Sequence, residues 1–351
     1  MRFPDAVAQG GPWSRKMGTT KAVPISQENL VSMEFLKEEQ LFPCVMRAST
    51  NGVDLASWAT SQKARIDDLC RKYGAVLFRN FEVHNARDLN RVIEATSSGP
   101  LEYKERSSPR STVEGHIYTS TDYPPAFDIF PHNEHSYSRT FPLKLYFCCI
   151  TPAAEGGETP IADTRRILAR LSTPVRQKFS EKGWMYVRNF GEGFGLTWQN
   201  SFQTDDPAVV ESYCKSHGID WEWQGGRLRT RQIRPAMARH PQTDDEIWFN
   251  HATFFHISTL EPALRNGLLA TFQTSDLPNN TYYGDGREIE SEVLEELRNA
   301  YLAECVLFSW QHGDVLMIDN MLTAHARKAY KGERKILVGM ADPHTRTDLP
   351  A

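Results

Sequence analysis

The chain has 351 residues, of which 40% are hydrophobic and 24% charged. That usage is ordinary for a globular protein and excludes a disordered or fibrous one. Lys and Arg number 40 against 44 Asp and Glu, a net charge of −4, which argues against a nucleic-acid partner, since such binders carry a basic excess. No apolar run approaches the roughly 18 residues that cross a bilayer, so no membrane partner is expected, and Met1 to Asp5 does not open like a secretory signal. Six scattered cysteines are too few for a disulfide framework and suit a reducing cytoplasm.

Residues 1–25 mix Gly, Pro, Lys and Ser without periodicity and read as a flexible leader, leaving 26–351 as a single domain. From Asp54 to Tyr73 the apolar spacing is helical, and Gly74 ends that helix before the apolar run Ala75 to Phe78. Asn85 to Thr96 reads as a second helix. The stretch from about 98 to 131, rich in Ser, Thr, Pro and Tyr, reads as a long loop; such loops are often lids over a site. Leu143 to Ile150, Trp184 to Phe190 and Glu246 to Phe255 are aromatic, β-branched and bounded by turn residues, as strands are. Asp206-Pro207 opens a short helix, an N-cap followed by proline at the first position. Ile289, Val293, Leu297 and Tyr301 draw an apolar stripe on a late helix. Cys305 to Trp310, Val315 to Ile318 and Ile336 to Met340 read as closing strands. With most strands in the middle and end and no βαβ rhythm, the fold class expected is a mainly β sandwich or barrel core with flanking helices.

The densest polar cluster is Pro131-His132-Asn133-Glu134-His135. A His and a carboxylate two apart on an extended segment project to one side and can share a metal ion. Alternation points His135 away, toward either a structural or a substrate-facing role. Gly156-Gly157-Glu158-Thr159-Pro160 follows as a tight turn bearing a hydroxyl. Far downstream come Gly313-Asp314-Val315-Leu316, Asp319-Asn320, His325 and Arg334. Two imidazoles and one carboxylate on one face of Fe(II) leave positions open for other ligands. An arginine fork suits a carboxylate.

The ordered set His-x-Glu, Gly-Gly-Glu-Thr-Pro, Gly-Asp-Val-Leu, Asp-Asn, His-x-Arg and Gly-x-Arg-Lys resembles the TauD/TfdA superfamily of Fe(II)/2-oxoglutarate-dependent dioxygenases, within it the branch typified by the syringomycin biosynthesis enzyme SyrP. The resemblance runs from about Gly74 to Met340. It implies a double-stranded β-helix, or jelly-roll, core with iron held by His132, Glu134 and His325. It also implies that Arg334 and Thr159 bind the distal carboxylate of 2-oxoglutarate. TauD and TfdA themselves carry aspartate where this chain has Glu134, as the clavaminate-synthase-like members do. The shorter interval from His325 to Arg334 leaves Arg327 and Lys335 as fallbacks. Halogenating relatives lack the carboxylate, so Glu134 implies hydroxylation or another oxidation. The cofactors implied are Fe(II), 2-oxoglutarate and O2, with ascorbate as an auxiliary reductant. The substrate implied is an amino acid, free or tethered to a peptidyl carrier protein, in natural-product biosynthesis.

Tyr118, Ser120, Asp122 and Tyr123 belong to the expected lid, and of these Tyr118 and Asp122 are the substrate-contact candidates. His251 reads equally as a pocket residue or as a histidine satisfied among core aromatics. Cys148 and Cys149, adjacent on a strand, face opposite ways and read as packing thiols. Trp221, Trp223, Arg227, Arg229 and Arg231 read as a solvated strand sooner than a docking face. Asp314 and Asp319 read as turn and supporting groups near the last ligand. The rival reading is a zinc hydrolase with a two-His-one-Glu site, although Thr159 and Arg334 have no task in it. A non-catalytic binding jelly roll is a third, and the intact triad speaks against it. A homo-oligomer is compatible with all three.

Overall fold

In the computed structural model of the protein, residues 30–37, 40–101, 105, 107, 111–191 and 195–347 are described; the leader expected over 1–25 lies outside them. The first expected helix forms as Leu55–Tyr73, where the Asp54 side chain accepts the Ser57 amide and Gly74, in the left-handed region, returns its own N–H to Cys70. The second forms as Ala86–Thr96 with the Asn85 side chain accepting from Asp88. Both lie against one face of an eight-stranded sheet. Its order is Val31–Lys37, Gln40–Ala48, Ala75–Arg79, Val315–Asp319, Thr140–Thr151, Lys335–Thr345, Ile117–Thr119 and Thr112–Glu114.

Side-chain alternation along Thr140–Thr151 divides the interior in two. Tyr146 and Cys148 pack toward the helices with Trp58, Leu89 and Ile93. Leu145, Phe147 and Cys149 turn to the other face, where they meet Ile161 of a three-stranded sheet. That smaller sheet is ordered Ile129–His132, Thr323–Arg327, Ile161–Asp163. The two facing sheets are the jelly-roll core that the sequence implies. Cys148 and Cys149 thus point apart, and burial pushes both thiols up, Cys149 to about 12; all six cysteines are free.

A separate four-stranded sheet, Asp220–Gln224, Arg227–Arg234, Trp184–Phe190 and Asn279–Tyr283, stands beside this core. On it Leu228, Thr230, Gln232 and Arg234 are buried while Arg227 is exposed. Arg231 lies 3.7 Å from Glu222, so the basic run is the outer face of a sheet. No helix among the described residues is long and apolar enough to cross a membrane.

Four expectations change. The 98–131 stretch is not loop throughout: its described part contains the hairpin Thr112–Glu114/Ile117–Thr119 and the strand Ile129–His132. The strand expected over Glu246 to Phe255 stops at Trp248. Asn250 ends it, because its side chain donates to Ala236 O and accepts from the Ala252 amide, a local alternative to sheet pairing. Cys305 to Trp310 is extended but makes one bridge, Val306 to Ile161. The late helix, Ser291–Glu304, buries Leu294, Leu297, Ala300 and Tyr301, a stripe shifted from the one drawn through Ile289 and Val293.

One buried ion pair ties the sheet to the turn that opens its central strand. Arg79 donates from Nε and Nη2 to the two carboxylate oxygens of Asp314 at 3.0 and 2.7 Å, and both residues are buried. Removing one partner strands a charge in the interior. Arg79→Met is therefore expected to lower unfolding free energy by about 3–5 kcal/mol, read as a fall in the urea midpoint with an unchanged slope; a loss below ~1 kcal/mol would show that Asp314 does not need its cation.

Candidate metal centre

The antiparallel register of the three-stranded sheet sets His132 opposite His325, and their rings come within 4.4 Å, centroid to centroid. Glu134 joins them by a different route from strand alternation. The strand ends at His132, and Asn133 to Tyr137 forms a turn. The Asn320 side chain locks that turn: its Nδ2 donates to Glu134 O and Pro142 O at 2.8 and 2.9 Å, and its Oδ1 accepts the Glu134 amide at 2.7 Å. Asn133 Nδ2 returns a bond to Asn320 O at 2.6 Å. Asp319 in turn holds Asn320 in place by accepting from the amides of Met321 and Leu322, while its other oxygen meets His240 Nε2 at 3.0 Å.

The result is one ligand atom from each of His132, Glu134 and His325, all within 4.8 Å of one another and all from buried residues. His325 Nε2 and Glu134 Oε2 stand 3.9 Å apart, too far to hydrogen-bond, yet within reach of one ion bound at about 2.1 Å from each. His132 Nδ1 lies 2.9 Å from Phe130 O. A proton on that nitrogen leaves the Nε2 lone pair for a metal, the outer contact that metal-binding histidines usually make. The donor set fits a divalent iron that keeps open positions.

His135 departs from its expected direction. It adopts φ 57°, is buried, stacks on Tyr137, and places Nε2 3.6 Å from Glu134 Oε1. The turn that brings Glu134 inward also brings its neighbour inward.

Thr159 and Arg334 meet on the adjoining turn. Gly156 and Gly157 both have positive φ, and a Cβ on Gly156 would sit 2.2 Å from Ala329 O, so only glycine lets this turn lie against the chain leading to Arg334. Arg334 Nε donates to Gly157 O at 2.8 Å, and its Nη2 reaches Thr159 Oγ1 at 3.4 Å. Trp310 Nε1 also donates to Thr159 Oγ1, at 3.1 Å. With both lone pairs so occupied, the hydroxyl has its proton left to give. Burial, then the nearby charge of Arg327, draws the Arg334 guanidinium down to about 10; it stays charged at neutral pH. Among the described residues no carboxylate lies within ion-pair reach of it. Arg327 is spoken for: it donates to the carbonyls of Tyr123, Pro124 and Phe127, each at 2.8 Å. Lys335 is exposed.

A cavity of about 580 Å³ opens beside the triad, lined by His132, Glu134, Asp122, His251, Phe254 and Leu264 among others. Asp122 and His251 therefore line this cavity. Tyr118 does not: it is buried in the apolar cluster with Phe147, Trp310 and Val338, because its place on the strand Ile117–Thr119 turns it into the interior. Burial, more than the neighbouring His132, pulls His251 well below the usual imidazole range. The roles of three residues escaped the sequence reading, although Asp319-Asn320 was part of the motif set. Asn320 and Trp310 act through contacts made at long range, which spacing does not display. Phe254, stacked on His132 at 4.2 Å, looked like one more strand aromatic.

Comparisons with known proteins bear on this geometry. A family model described as "Taurine catabolism dioxygenase TauD, TfdA family" matches residues 38–341. The dapdiamide synthesis protein DdaC of Enterobacter agglomerans is 40% identical over 279 residues, covering 79% of this chain and 85% of that one. A clavaminate synthase-like protein of Arabidopsis thaliana is 30% identical over 291 residues, covering 80% and 85%. The crystal structure of PvcB from Pseudomonas aeruginosa superposes with a TM-score of 0.54 at 14% identity, covering 90% and 93%, which is a likeness of fold.

Asn320→Ala removes the bonds that hold Glu134 inward. Supporting contacts of this kind are worth about 10- to 100-fold in metal affinity, and that loss is expected in a titration with divalent metal, alongside near-native far-UV dichroism. Unchanged affinity would mean that the turn holds Glu134 without Asn320.

Proposed function

The chain belongs to the TauD/TfdA family of Fe(II)/2-oxoglutarate-dependent dioxygenases, and from that premise we propose that it hydroxylates an unactivated C–H bond of an amino acid or a carrier-tethered aminoacyl group in natural-product biosynthesis. The observation that carries this reading is the intact set of His132, Glu134 and His325 donor atoms, of which His132 and Glu134 line a largely apolar cavity. Bound iron and 2-oxoglutarate supply, with O2, the oxidising power, and 2-oxoglutarate leaves as succinate and CO2.

The chain's own residues hold, orient and shield. His132, Glu134 and His325 hold Fe(II), with the Phe130 carbonyl keeping His132 in the ligating tautomer. Arg334 and Thr159 receive the distal carboxylate of 2-oxoglutarate, the guanidinium as a half-buried cation with no carboxylate of its own among the described residues, the hydroxyl by its remaining proton. Asp122 and His251 contact the substrate, and within a single domain the segment 121–128, which contributes Thr121, Tyr123 and Asp128 to the cavity wall, serves as the lid. The carboxylate of Glu134 occupies the position that a halogenating site needs vacant, which favours hydroxylation. Two named proteins support the biosynthetic setting: DdaC, for dapdiamide synthesis, and PvcB, an oxygenase from an isonitrile synthetic pathway. Nothing in the relatives supports the zinc-hydrolase alternative.

Anaerobic titration of the apo-protein with Fe(II) and 2-oxoglutarate is expected to raise the visible charge-transfer band of the chelate, absent in His325→Ala. A protein that retains zinc tightly and gives no band would sink the reading. Loss of a charge-assisted bond costs about 1.5–3 kcal/mol, so Arg334→Ala is expected to raise the 2-oxoglutarate concentration for half-saturation of the band by roughly ten- to a hundredfold. An unchanged requirement would take the carboxylate away from Arg334.

A further inference from the structure

His251 is 2% exposed, yet it lies on the cavity wall with His132 and Glu134. Its ring is held on several sides. Phe255 stacks on it at 4.6 Å, while Tyr137 and Phe254 meet it edge-on at 5.2 and 5.3 Å. Its Nδ1 lies 2.5 Å from Ser136 Oγ, two residues past Glu134. Side-chain rotation is blocked, so whatever the free edge offers is already aimed.

The bond to Ser136 decides what that edge offers. Ser136 is fully buried, and His251 is the only partner of its hydroxyl among the described residues. A hydroxyl has one proton and two lone pairs, and burying the proton without an acceptor costs more than leaving a lone pair idle. The proton therefore goes to Nδ1, and the ring hydrogen resides on Nε2. A protonated ring would carry the same Nε2–H, so the assignment does not turn on the ring's charge. Among the described residues no protein acceptor takes that hydrogen.

We propose that His251 Nε2–H is the donor that grips an oxygen acceptor of the substrate beside the metal, so that the site selects molecules with a carbonyl or carboxylate oxygen close to the carbon oxidised. The remaining wall, with Phe254, Leu260, Leu264 and Leu268, takes an apolar side chain. This rests on the amino-acid reading above: the acceptor is the carboxylate of a free amino acid or the thioester carbonyl of a tethered one. Ser136, anchored in the turn that carries Glu134, positions the donor relative to the metal.

The test uses the anaerobic Fe(II)/2-oxoglutarate protein and three matched probe sets: the proteinogenic L-amino acids, their N-acetylcysteamine thioesters, and the corresponding 2-amino alcohols, which lack the carbonyl. Binding is read as perturbation of the chelate band. At least one acid or thioester is expected to bind, with its amino alcohol tenfold weaker or worse. His251→Phe is expected to lose tenfold or more for the acceptor-bearing probe and little for the alcohol, with the chelate band itself intact. His251→Gln, whose amide keeps an N–H in reach, is expected to recover most of the loss. A response to acids alone assigns the carboxylate, and a response to thioesters alone assigns the tethered carbonyl.

Alcohols binding as tightly as acids and thioesters, or His251→Phe binding like wild type, would overturn the donor role while leaving the amino-acid reading standing. A normal band that no probe perturbs would overturn the amino-acid reading and the acceptor assignment together. As a measurement independent of substrate, long-range ¹H–¹⁵N correlation on the zinc-loaded protein is expected to show the Nε2–H form in wild type and a mixture in Ser136→Ala; an Nδ1–H form in wild type would refute the assignment directly.

Discussion

Everything at the metal centre depends on how one side chain, Asn320, treats the backbone of Glu134. An amide side chain carries a donor and an acceptor in the same arrangement as a peptide group. Asn320 uses both to pair with Glu134 N and O, as a neighbouring strand would. The strand bearing His132 can therefore stop, and the chain can turn, without leaving buried backbone groups unsatisfied. Only because it turns does Glu134 swing in to meet His325. The same turn carries His135 inward and delivers Ser136 to His251, so a single local geometry arranges the candidate metal ligands and the cavity edge together.

The first two arginines after His325 show how position along one stretch of chain divides labour. Arg327 lies on the strand itself, and its guanidinium is consumed by three carbonyls of the segment leading to the cavity rim. It ties that rim to the strand carrying a metal ligand. Arg334 comes after the Gly332 turn, and the Gly156-Gly157 turn admits its side chain into a buried corner with Thr159 and Trp310. One arginine builds the wall, and the other has no carboxylate within ion-pair reach among the described residues, as the proposed role requires. The relatives place the chain in a family whose co-substrate has such a carboxylate, and the corner explains why an arginine rather than a lysine fits there: a planar fork can touch Gly157, Thr159 and a diacid at once.

Much of this was legible in the sequence. The first helix declared itself by its apolar spacing and by Gly74 at its end, and the second by its helical pattern from Asn85 to Thr96; the caps that Asp54 and Asn85 provide came from the structure. Val315 to Ile318 and Trp184 to Phe190 were visible as strands because apolar side chains must be buried whatever they pack on. The order His132, Glu134, Thr159, His325, Arg334 named the family. The strand expected through His251 failed because Asn250 closes a local hydrogen-bonded turn, a choice that composition does not reveal. Tyr118 was drawn to the substrate by its polar surroundings, yet a hidden hairpin placed it in the core.

The sequence by itself determined the family and the order in which its candidate ligands and glycine turns occur, since these are properties of short segments. Tertiary structure alone decided where those residues point. Glu134 faces the histidines through a turn paired to Asn320, 186 residues away, and Arg334 rather than Arg327 keeps its fork available because three distant carbonyls claim the other. Hydrogen bonds between segments far apart in the chain set these directions, and a linear pattern holds no record of which distant groups will meet.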